Sequence, residues 1–221
     1  MDQSELGVAL DQPPEGWTLA NPENLERVLS EICSGEEVRL QGRYVNAATW
    51  LMESNLPIDD DGECVFSISE TEREALPLEL IYNPKRHVVG IGCEQGAEVG
   101  EVLHCMDEVL KRSGIARGAI SAVASIDVKS QEPAIHAAAG VLQVPVLFFS
   151  AEVLEEETPR IANPSDKIFT YLGCHGVAEN AALAAAGPDS ELVVEKQKSN
   201  RTTVAIAKAS EIVNLNHAGR R

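Results

Sequence analysis

The sequence predicts an α/β protein: a three-layer α/β/α C-terminal domain with a mainly parallel sheet, preceded by a smaller mixed α/β unit. Within residues 87–149, compact apolar segments alternate with segments of helical periodicity, which is typical of parallel strands joined by right-handed crossovers. Charge is also unevenly distributed: residues 1–84 hold 18 acidic and 4 basic residues, whereas residues 85–221 hold 17 and 14. This shift in composition indicates two structural units that meet near Pro84.

The first unit has one clear helix. Asn21 is a suitable N-cap, Pro22 suits the first helical position, and Gly35 ends the apolar periodicity that follows. Short strands are expected at residues 37–40, 64–68 and 78–82. Trp17 and Trp50 are expected to fill a small core.

The second unit supplies the parallel strands. They are predicted at residues 87–91, 119–125 and 144–149. A glycine-rich turn follows the first strand and leads into a helix that ends at Gly114. A second helix is expected from about residue 131 to residue 139, with Gly140 as its end.

Two more helices and a hairpin complete the second unit. One helix is predicted to start at Asn163 and to end near Gly173, and the other covers residues 177–186. Two apolar stretches near the C-terminus flank the polar segment 196–201, which is typical of a hairpin turn.

The composition argues against several classes of function. The 221 residues carry a formal net charge of −17, which excludes a general basic surface for nucleic acid. No apolar run is long enough to cross a membrane, and the N-terminus lacks the features of a secretory signal. The five cysteines are widely spaced and include no C-x-x-C motif, so we expect free thiols, a cytoplasmic location and no metal site. The acidic runs at 59–61 and 155–157 are expected to be solvated loops.

Candidate site residues follow the parallel strands, because ligands of an open parallel sheet bind beyond the carboxyl ends of its strands. The predicted pocket is lined by Gly92, Cys93, Asp127, Lys129, Ser150 and Glu152. The glycines at 90, 92 and 96 are spaced one residue too widely for the dinucleotide motif G-x-G-x-x-G, and Glu94 would repel a pyrophosphate. The turn therefore either binds a carboxylate at the helix N-terminus or serves only for tight packing.

Asp127 and Lys129 are expected to lie on the same side of an extended segment. Such a pair can exchange a proton with a polar substrate, or it can be a salt bridge that caps the sheet edge. His175, next to Cys174, is a candidate proton donor or substrate ligand, whereas a Cys–His nucleophile is disfavoured because adjacent side chains rarely make the required contact.

A local basic turn stands out in this acidic chain. Its cationic residues are Lys196, Lys198 and Arg201. They are either a solvated hairpin tip or a site that captures carboxylates.

These residues lie in segments that resemble a known family. Residues 87–207 resemble the C-terminal domain of the cobalamin-biosynthesis proteins CbiG and CobE. The segments that carry this resemblance, in chain order, are VVGIGCEQGA (88–97), ASIDVKSQEPAI (124–135), VPVLFFSAEVL (144–154), NPS (163–165), GCHGVAENAALAAAG (173–187) and EKQKSNRTTVAIA (195–207). Residues 6–84 more loosely resemble the middle region that precedes this domain in CbiG, through GW at 16–17, the NPENLERV segment and Leu56-Pro57.

The resemblance implies a function in cobalamin (vitamin B12) biosynthesis. It implies a cobalt-precorrin-5A hydrolase, which opens a ring lactone with water and releases acetaldehyde to give cobalt-precorrin-5B. The alternative is a non-catalytic accessory protein, similar to CobE, that binds a corrin intermediate, and a small-molecule domain unrelated to corrins is a third reading. The implied division of the chain is a CbiG middle-like region over 1–84, a CbiG/CobE C-terminal domain over 85–210 and a tail over 211–221.

The resemblance also implies ligands and partners. The substrate is a cobalt-corrinoid rich in carboxylates, and no cofactor is needed beyond the cobalt that the substrate carries. Other corrin-pathway enzymes or a fused domain are expected partners, a homodimer is a further expectation, and nucleic acid and membranes are not expected. The family's N-terminal segment, which precedes the middle region, is missing from this sequence, and Glu94 and Gln95 stand where the family usually has basic residues.

Roles for the candidate residues follow from the implied reaction. Asp127 is the expected base, and either Lys129 or the N–H groups of the 92–96 turn would hold the oxyanion. His175 or Glu132 would shuttle the proton that the loss of acetaldehyde requires. The expected substrate-binding residues are Gly92, Cys93, Glu132, Ser150, Glu152, Lys196 and Lys198.

Overall fold

A computed structural model describes residues 3–213 of the chain. It divides into two compact units, with the division between Lys85 and Arg86. The five cysteines are free. In the described part of the chain, no helix is both long enough and apolar enough to span a membrane.

The first unit is built on a four-stranded sheet with the order β1-β4-β3-β2. Its strands are β1 Trp17–Leu19, β2 Val38–Gln41, β3 Cys64–Ile68 and β4 Glu79–Pro84. Its helices are α1 Leu25–Ser34 and α2 Thr49–Met52. Strands β2, β3 and β4 are parallel neighbours, and β1 pairs antiparallel with β4, which confirms a mixed α/β unit.

Asn21 does not cap the first helix as predicted. A short 3₁₀ turn, Pro22–Asn24, precedes α1, and the Asn21 side chain makes no capping hydrogen bond. The buried amide instead donates to the backbone oxygen of Glu79 (2.7 Å) and accepts from the backbone N–H of Ile81 (2.8 Å). Asn21 therefore ties the start of the helical segment to β4, a tertiary role that takes precedence over local capping.

The second unit is built on a five-stranded sheet with the order β7-β6-β5-β9-β8. Its strands are β5 His87–Cys93, β6 Ile120–Ile126, β7 Val146–Phe149, β8 Glu191–Lys198 and β9 Thr202–Lys208. Its helices are α3 Val99–Ser113, α4 Pro133–Leu142, α5 Ala151–Glu156, α6 Asp166–Leu172 and α7 Ala178–Ala186. Strands β5, β6 and β7 are parallel, as predicted, whereas β9 runs antiparallel between β5 and β8.

Helices cover both faces of this sheet, which confirms the three-layer architecture. Helices α3 and α4 pack on one face over a core that includes Met106 and Ile135. Helices α5 and α7 pack on the other face over a core that includes Leu154 and Ala181.

Three local predictions for the second unit are wrong. Gly140 does not end α4, which continues until Gln143 takes a left-handed conformation (φ 54°), because Leu142 is buried in the core. Helix α6 starts at Asp166 rather than at Asn163, with Ser165 as its N-cap. Residues Asp127–Lys129 form a 3₁₀ turn and not an extended segment.

Candidate functional site

Gly90 and Gly92 serve close packing, one of the two interpretations that the sequence allowed, whereas Gly96 has a positive φ (+66°) and no close neighbour. A Cβ on Gly90 would lie 1.9 Å from the backbone oxygen of Ala178, and a Cβ on Gly92 would lie 2.7 Å from Oγ1 of Thr203. Helix α7 can therefore approach β5 only where β5 has no side chain. Gly92 is itself buried, so it offers a ligand no accessible surface.

The turn after β5 has few free N–H groups for an anion. The amide of Glu94 donates to the backbone oxygen of Arg201 (3.0 Å), and the amide of Gly96 donates to Oε2 of Glu132 (3.2 Å). Ala97 N–H donates to the Glu94 oxygen (3.2 Å). The amides of Glu94 and Gly96 are therefore already bonded, which leaves fewer donors for the oxyanion that the 92–96 turn was expected to hold.

Arg201 fastens the β8–β9 hairpin to the same turn. Its Nε lies 3.0 Å from Oε2 of Glu94, and its Nη2 donates to the backbone oxygen of Gln95 (2.8 Å). The acidic residue of the turn is therefore balanced by a cation. Arg201 in turn is not a free group for carboxylate capture.

Lys129 pairs with Glu132 rather than with Asp127. The Nζ of Lys129 lies 3.9 Å from Oε2 of Glu132, and the Glu132 side chain is only 8% exposed. Cys93 lies within electrostatic range of both charges. Burial is the largest effect on its thiol and the Glu132 carboxylate is the next, and together they raise the pKa of the thiol above the usual range. The thiol therefore remains protonated at neutral pH, and Cys93 contributes an uncharged side chain beside Lys129 and Glu132.

The predicted same-side arrangement of Asp127 and Lys129 is wrong. In a 3₁₀ turn successive side chains are rotated by about 120°, so residues two apart point in different directions. Asp127 is exposed, and its carboxylate has no hydrogen bond or ion pair with any residue in the range 3–213. Nothing orients it as a base.

His175 is the best-oriented acid–base group among the predicted residues. Its Nδ1 lies 2.8 Å and 3.0 Å from the two carboxylate oxygens of Glu155. The backbone N–H of His175 and the hydroxyl of Thr158 both donate to Oε2 of Glu155 (2.9 Å each). Burial raises the pKa of Glu155, but these hydrogen bonds together hold it below its usual value, so the partner of the imidazole is a carboxylate.

The other nitrogen of the imidazole has no hydrogen bond to any residue within 3–213. Nε2 lies 3.7 Å from Oδ1 of Asp166, which is beyond hydrogen-bond distance. The ring of Phe169 stacks on the imidazole, with 4.4 Å between the ring centroids. The stack and the Glu155 carboxylate fix the ring, and with Nδ1 donating to the carboxylate, Nε2 carries a lone pair that can accept a proton.

Sequence reasoning missed Glu155, which it placed in a solvated loop. Glu155 lies in α5 and is 20 residues from His175. No local spacing pattern indicates such a pair. Only the Glu155-Glu156-Glu157 run marked the segment, and acidic runs are more often solvated.

Lys196 holds the loop before α6 and is not a free cation. Its Nζ donates to the backbone oxygen of Asn163 (2.6 Å), and its backbone N–H donates to Oε1 of Glu179 (2.8 Å). Buried Glu179 also accepts from the backbone and side-chain nitrogens of Asn163 (2.9 Å each). Burial lowers the pKa of Lys196 below its usual value. Lys198, on the same strand, is exposed.

Ser150 and Glu152 belong to the start of α5. Ser150 is its N-cap and accepts from the backbone N–H of Val153 (3.5 Å). Glu152 is exposed, and a hydrogen bond from the Ser150 hydroxyl lowers the pKa of its carboxyl. The Ser150 hydroxyl is thus engaged in capping.

The predicted catalytic residues fall into two clusters. Cys93, beside Lys129 and Glu132, packs with the α3/α4 core, whereas Cys174, beside His175, packs with the α5/α7 core. No hydrogen bond or ion pair joins Asp127, Lys129 and His175 to one another within residues 3–213. The described residues contain no group of three or more His, Cys, Asp or Glu that could hold a metal ion.

Comparisons with known proteins follow the same division of the chain. Residues 87–207 match the family model described as "Cobalamin synthesis G C-terminus". The protein CobE of Sinorhizobium sp is 46% identical over 120 residues, an alignment that covers 54% of this chain and 78% of that protein. A crystal structure of CobE, a protein from the cobalamin (vitamin B12) biosynthetic pathway, is also similar. It matches with 33% identity and a TM-score of 0.53, over 57% of this chain and 91% of that one.

A longer relative aligns with both units. The cobalt-precorrin-5A hydrolase of Priestia megaterium is 25% identical over 225 residues, which covers 93% of this chain. The chain spans only 59% of that relative's length.

Proposed function

The chain belongs to the cobalamin synthesis G C-terminus family, and from this premise we propose that it acts in cobalamin biosynthesis as a cobalt-precorrin-5A hydrolase. The membership confirms the resemblance drawn from the sequence. The alignment with the Priestia megaterium hydrolase extends over the first unit as well, which supports the hydrolase over an accessory protein of CobE type.

The observation that carries the proposal is the His175–Glu155 pair. A carboxylate fixes Nδ1 of the imidazole and leaves the Nε2 lone pair free, which is the arrangement that a general base needs. His175 therefore replaces Asp127 as the proposed base, because Asp127 is exposed and nothing positions it.

The proposed hydrolysis uses His175 twice. Nε2 accepts a proton from water while the water oxygen forms a bond to the lactone carbonyl carbon. The bond from that carbon to the ring oxygen then breaks, and His175 returns the proton to the departing oxygen, so that one water is consumed and a carboxylic acid and a hydroxyl are formed. Removal of the hydroxyl proton, with cleavage of the neighbouring C–C bond, releases acetaldehyde and leaves the electron pair on the macrocycle.

Binding of the substrate is assigned to the remaining cations. Lys129, although paired with Glu132, and the exposed Lys198 supply positive charge for substrate carboxylates, whereas Lys196 and Arg201 are engaged within the fold. Cys93 and Glu152 belong to the surrounding surface. Gly92 and Ser150, which are engaged in packing and in capping, support it. The cobalt is part of the substrate, and no further cofactor is proposed.

The cellular context is also part of the proposal. We propose that the protein is cytoplasmic and works beside other corrin-pathway enzymes or beside a fused domain, because its substrate passes from one enzyme to the next. A homodimer is proposed as well, and sedimentation velocity tests it.

The test compares acetaldehyde release by the wild type, Glu155→Gln and Glu157→Gln. Glu157 lies two residues away and pairs with Arg160 (2.6 Å), so its substitution removes the same charge without touching His175. We expect Glu155→Gln to lower kcat by about 100-fold and to shift the pH profile of kcat, because general acid–base catalysis contributes factors of this size. The control should retain activity within about threefold of wild type, because Glu157 is half-buried against Arg160 and has no contact with His175.

Two results would contradict the assignment. Equal turnover by the wild type and Glu155→Gln would remove the His175–Glu155 pair from the mechanism. Tight corrinoid binding by the wild type, seen as a change in tetrapyrrole absorbance without any acetaldehyde, would favour the accessory protein.

A further inference from the structure

We propose that the first unit contains a binding site for a single carboxylate group, at the carboxyl ends of β2 and β3. The proposal concerns a different unit from the His175–Glu155 pair and does not depend on the hydrolase assignment.

A cavity lies at the carboxyl ends of β2 and β3. Strands β2 and β3 are parallel neighbours, and the loops that follow them border an open cavity of about 460 Å³. The cavity is lined by Gln41, Gly42, Arg43, Tyr44, Ser67, Ile68, Ser69, Glu70, Thr71 and Arg73. Its volume suits a small molecule or one arm of a larger one, and its position is the edge at which parallel sheets bind their ligands.

The loop after β2 is held in a fixed position. Gly42 has a φ of +119°, and a Cβ there would lie 2.2 Å from the backbone oxygen of Ile68 at the end of β3. Only glycine can connect the strands this closely. The two residues that follow, Arg43 and Tyr44, therefore start from a defined backbone position, and the Arg43 guanidinium lies 5.6 Å from the centre of the Tyr44 ring.

The charges select an anion of one negative charge. The first unit has five basic residues among 18 acidic ones, and two of the five, Arg43 and Arg73, line the cavity. Arg73 is neutralised by Glu79, whereas Arg43 forms no ion pair with a carboxylate in the part of the chain that the structure describes. One free guanidinium matches one carboxylate in charge and in its planar, two-pronged shape. Glu70 at the rim disfavours a doubly charged phosphate.

Hydroxyl groups supply further donors. The hydroxyls of Ser69 and Thr71 lie 2.9 Å apart on the cavity wall, and the amide of Gln41 donates to Ser67 (2.8 Å). Because one hydroxyl proton joins Ser69 to Thr71, a carboxylate held by Arg43 can accept one hydrogen bond from this pair. The hydrogen bonds that run from Gln41 to Ser67 and Glu79 keep the floor rigid.

Two sources share this chemistry: a free small carboxylic acid and a carboxylate arm of a corrinoid. The experiment follows backbone amide NMR signals of Gly42, Tyr44, Ser69 and Thr71 while the full chain is titrated with propionate, cobyrinic acid, cobinamide or inorganic phosphate. Cobyrinic acid carries carboxylate arms, whereas the arms of cobinamide end in amides. Shifts with propionate identify a free acid as the ligand, and shifts with cobyrinic acid but not cobinamide or propionate identify a corrinoid arm.

The matched variants are Arg43→Gln and Arg39→Gln. Each removes one positive charge from the same acidic unit, but Arg39 is an exposed residue of β2 that does not line the cavity. We expect Arg43→Gln to weaken carboxylate binding at least tenfold and Arg39→Gln to change it by less than twofold. The proposal is overturned if neither carboxylate shifts these signals, if phosphate binds as well as propionate, or if the two variants weaken binding equally.

Discussion

The two units fix their parallel strands by different physical means. In the first unit, the buried carboxylate of Glu79 on β4 accepts hydrogen bonds from Arg73, Ser67 and the backbone N–H of Leu76. In the second unit, helix α7 lies directly against the backbone of β5 at Gly90. A charged network depends on protonation but tolerates movement of side chains, whereas backbone contact is indifferent to pH and tolerates no added atom.

The largest effect should come from the backbone contact. In Gly90→Ala the new Cβ would lie 1.9 Å from the Ala178 oxygen and 2.9 Å from the Ala182 nitrogen, so α7 has to move. We expect a loss of about 4 kcal/mol or more in the free energy of unfolding, measured by urea denaturation.

Gly140→Ala is the matched control for that substitution. Gly140 is exposed within α4, and a Cβ there would meet no atom within 4 Å. Because alanine favours helix more than glycine does, we expect this variant to gain about 0.5–1 kcal/mol. If both variants lost stability, the contact of α7 with β5 would not explain the glycine at position 90.

The next effect concerns the charged network of the first unit. Glu79→Gln removes the charge that Arg73 neutralises and leaves one side-chain oxygen where there were two acceptors. Arg73 is 35% exposed and can turn to water, so we expect a loss of about 3 kcal/mol, at the low end for a broken buried ion pair. Amide hydrogen exchange of β3 and β4 measures it, and Glu74→Gln, which changes the same charge outside this network, should have an effect below about 0.5 kcal/mol.

Acid should destabilise the first unit more than the second, because the strands of the first unit depend on a buried charged network. The hydrogen bond from Arg73 is the largest of the effects that lower the pKa of Glu79 from 4.5 to about 2. A depressed carboxyl pKa stabilises the folded state fully above the unfolded value and loses that contribution as the pH falls. Exchange in β3 and β4 should therefore accelerate between about pH 5 and pH 2, and this acceleration should be smaller in Glu79→Gln. An unchanged pH dependence in the variant would assign the acid sensitivity to other carboxyls.

Periodicity predicted the elements of this chain where packing and local pattern agree. The alternation of apolar strands with amphipathic helices correctly predicted β5, β6, β7 and α3, because the burial of one helix face leaves a periodic pattern of apolar residues in the sequence. Strand β1 has three residues and no alternation that stands out, so its pairing with β4 was not predicted.

The site was harder to predict, because its contacts join residues that are distant in sequence. Asp127 and Lys129 looked like a pair only on the assumption of an extended chain, and a single 3₁₀ turn separates them. His175 was identified, but its partner Glu155 lies 20 residues earlier, and no short motif encodes that contact. Gly90 and Gly92 had two interpretations, and only the positions of α7 and of Thr203 on β9 decide for packing.

The smallest effect should come from the polar contacts of Arg201, which join the tip of the β8–β9 hairpin to the turn after β5. Arg201→Gln removes the contacts to Glu94 and Gln95 that hold the hairpin against the β5–α3 turn. Both charged side chains are partly exposed, so these contacts contribute about 0.5 kcal/mol and weaken as salt screens them. We expect exchange of the Gly96 and Ala97 amides to become about twofold faster in low salt, with little change in 1 M salt. Arg112→Gln, which breaks an exposed helical pair with Glu108, should leave these two amides unchanged. If Arg201→Gln instead destabilised the unit as strongly as Gly90→Ala, polar contacts would be as important to this sheet as backbone contact, and the contrast between the two units would fail.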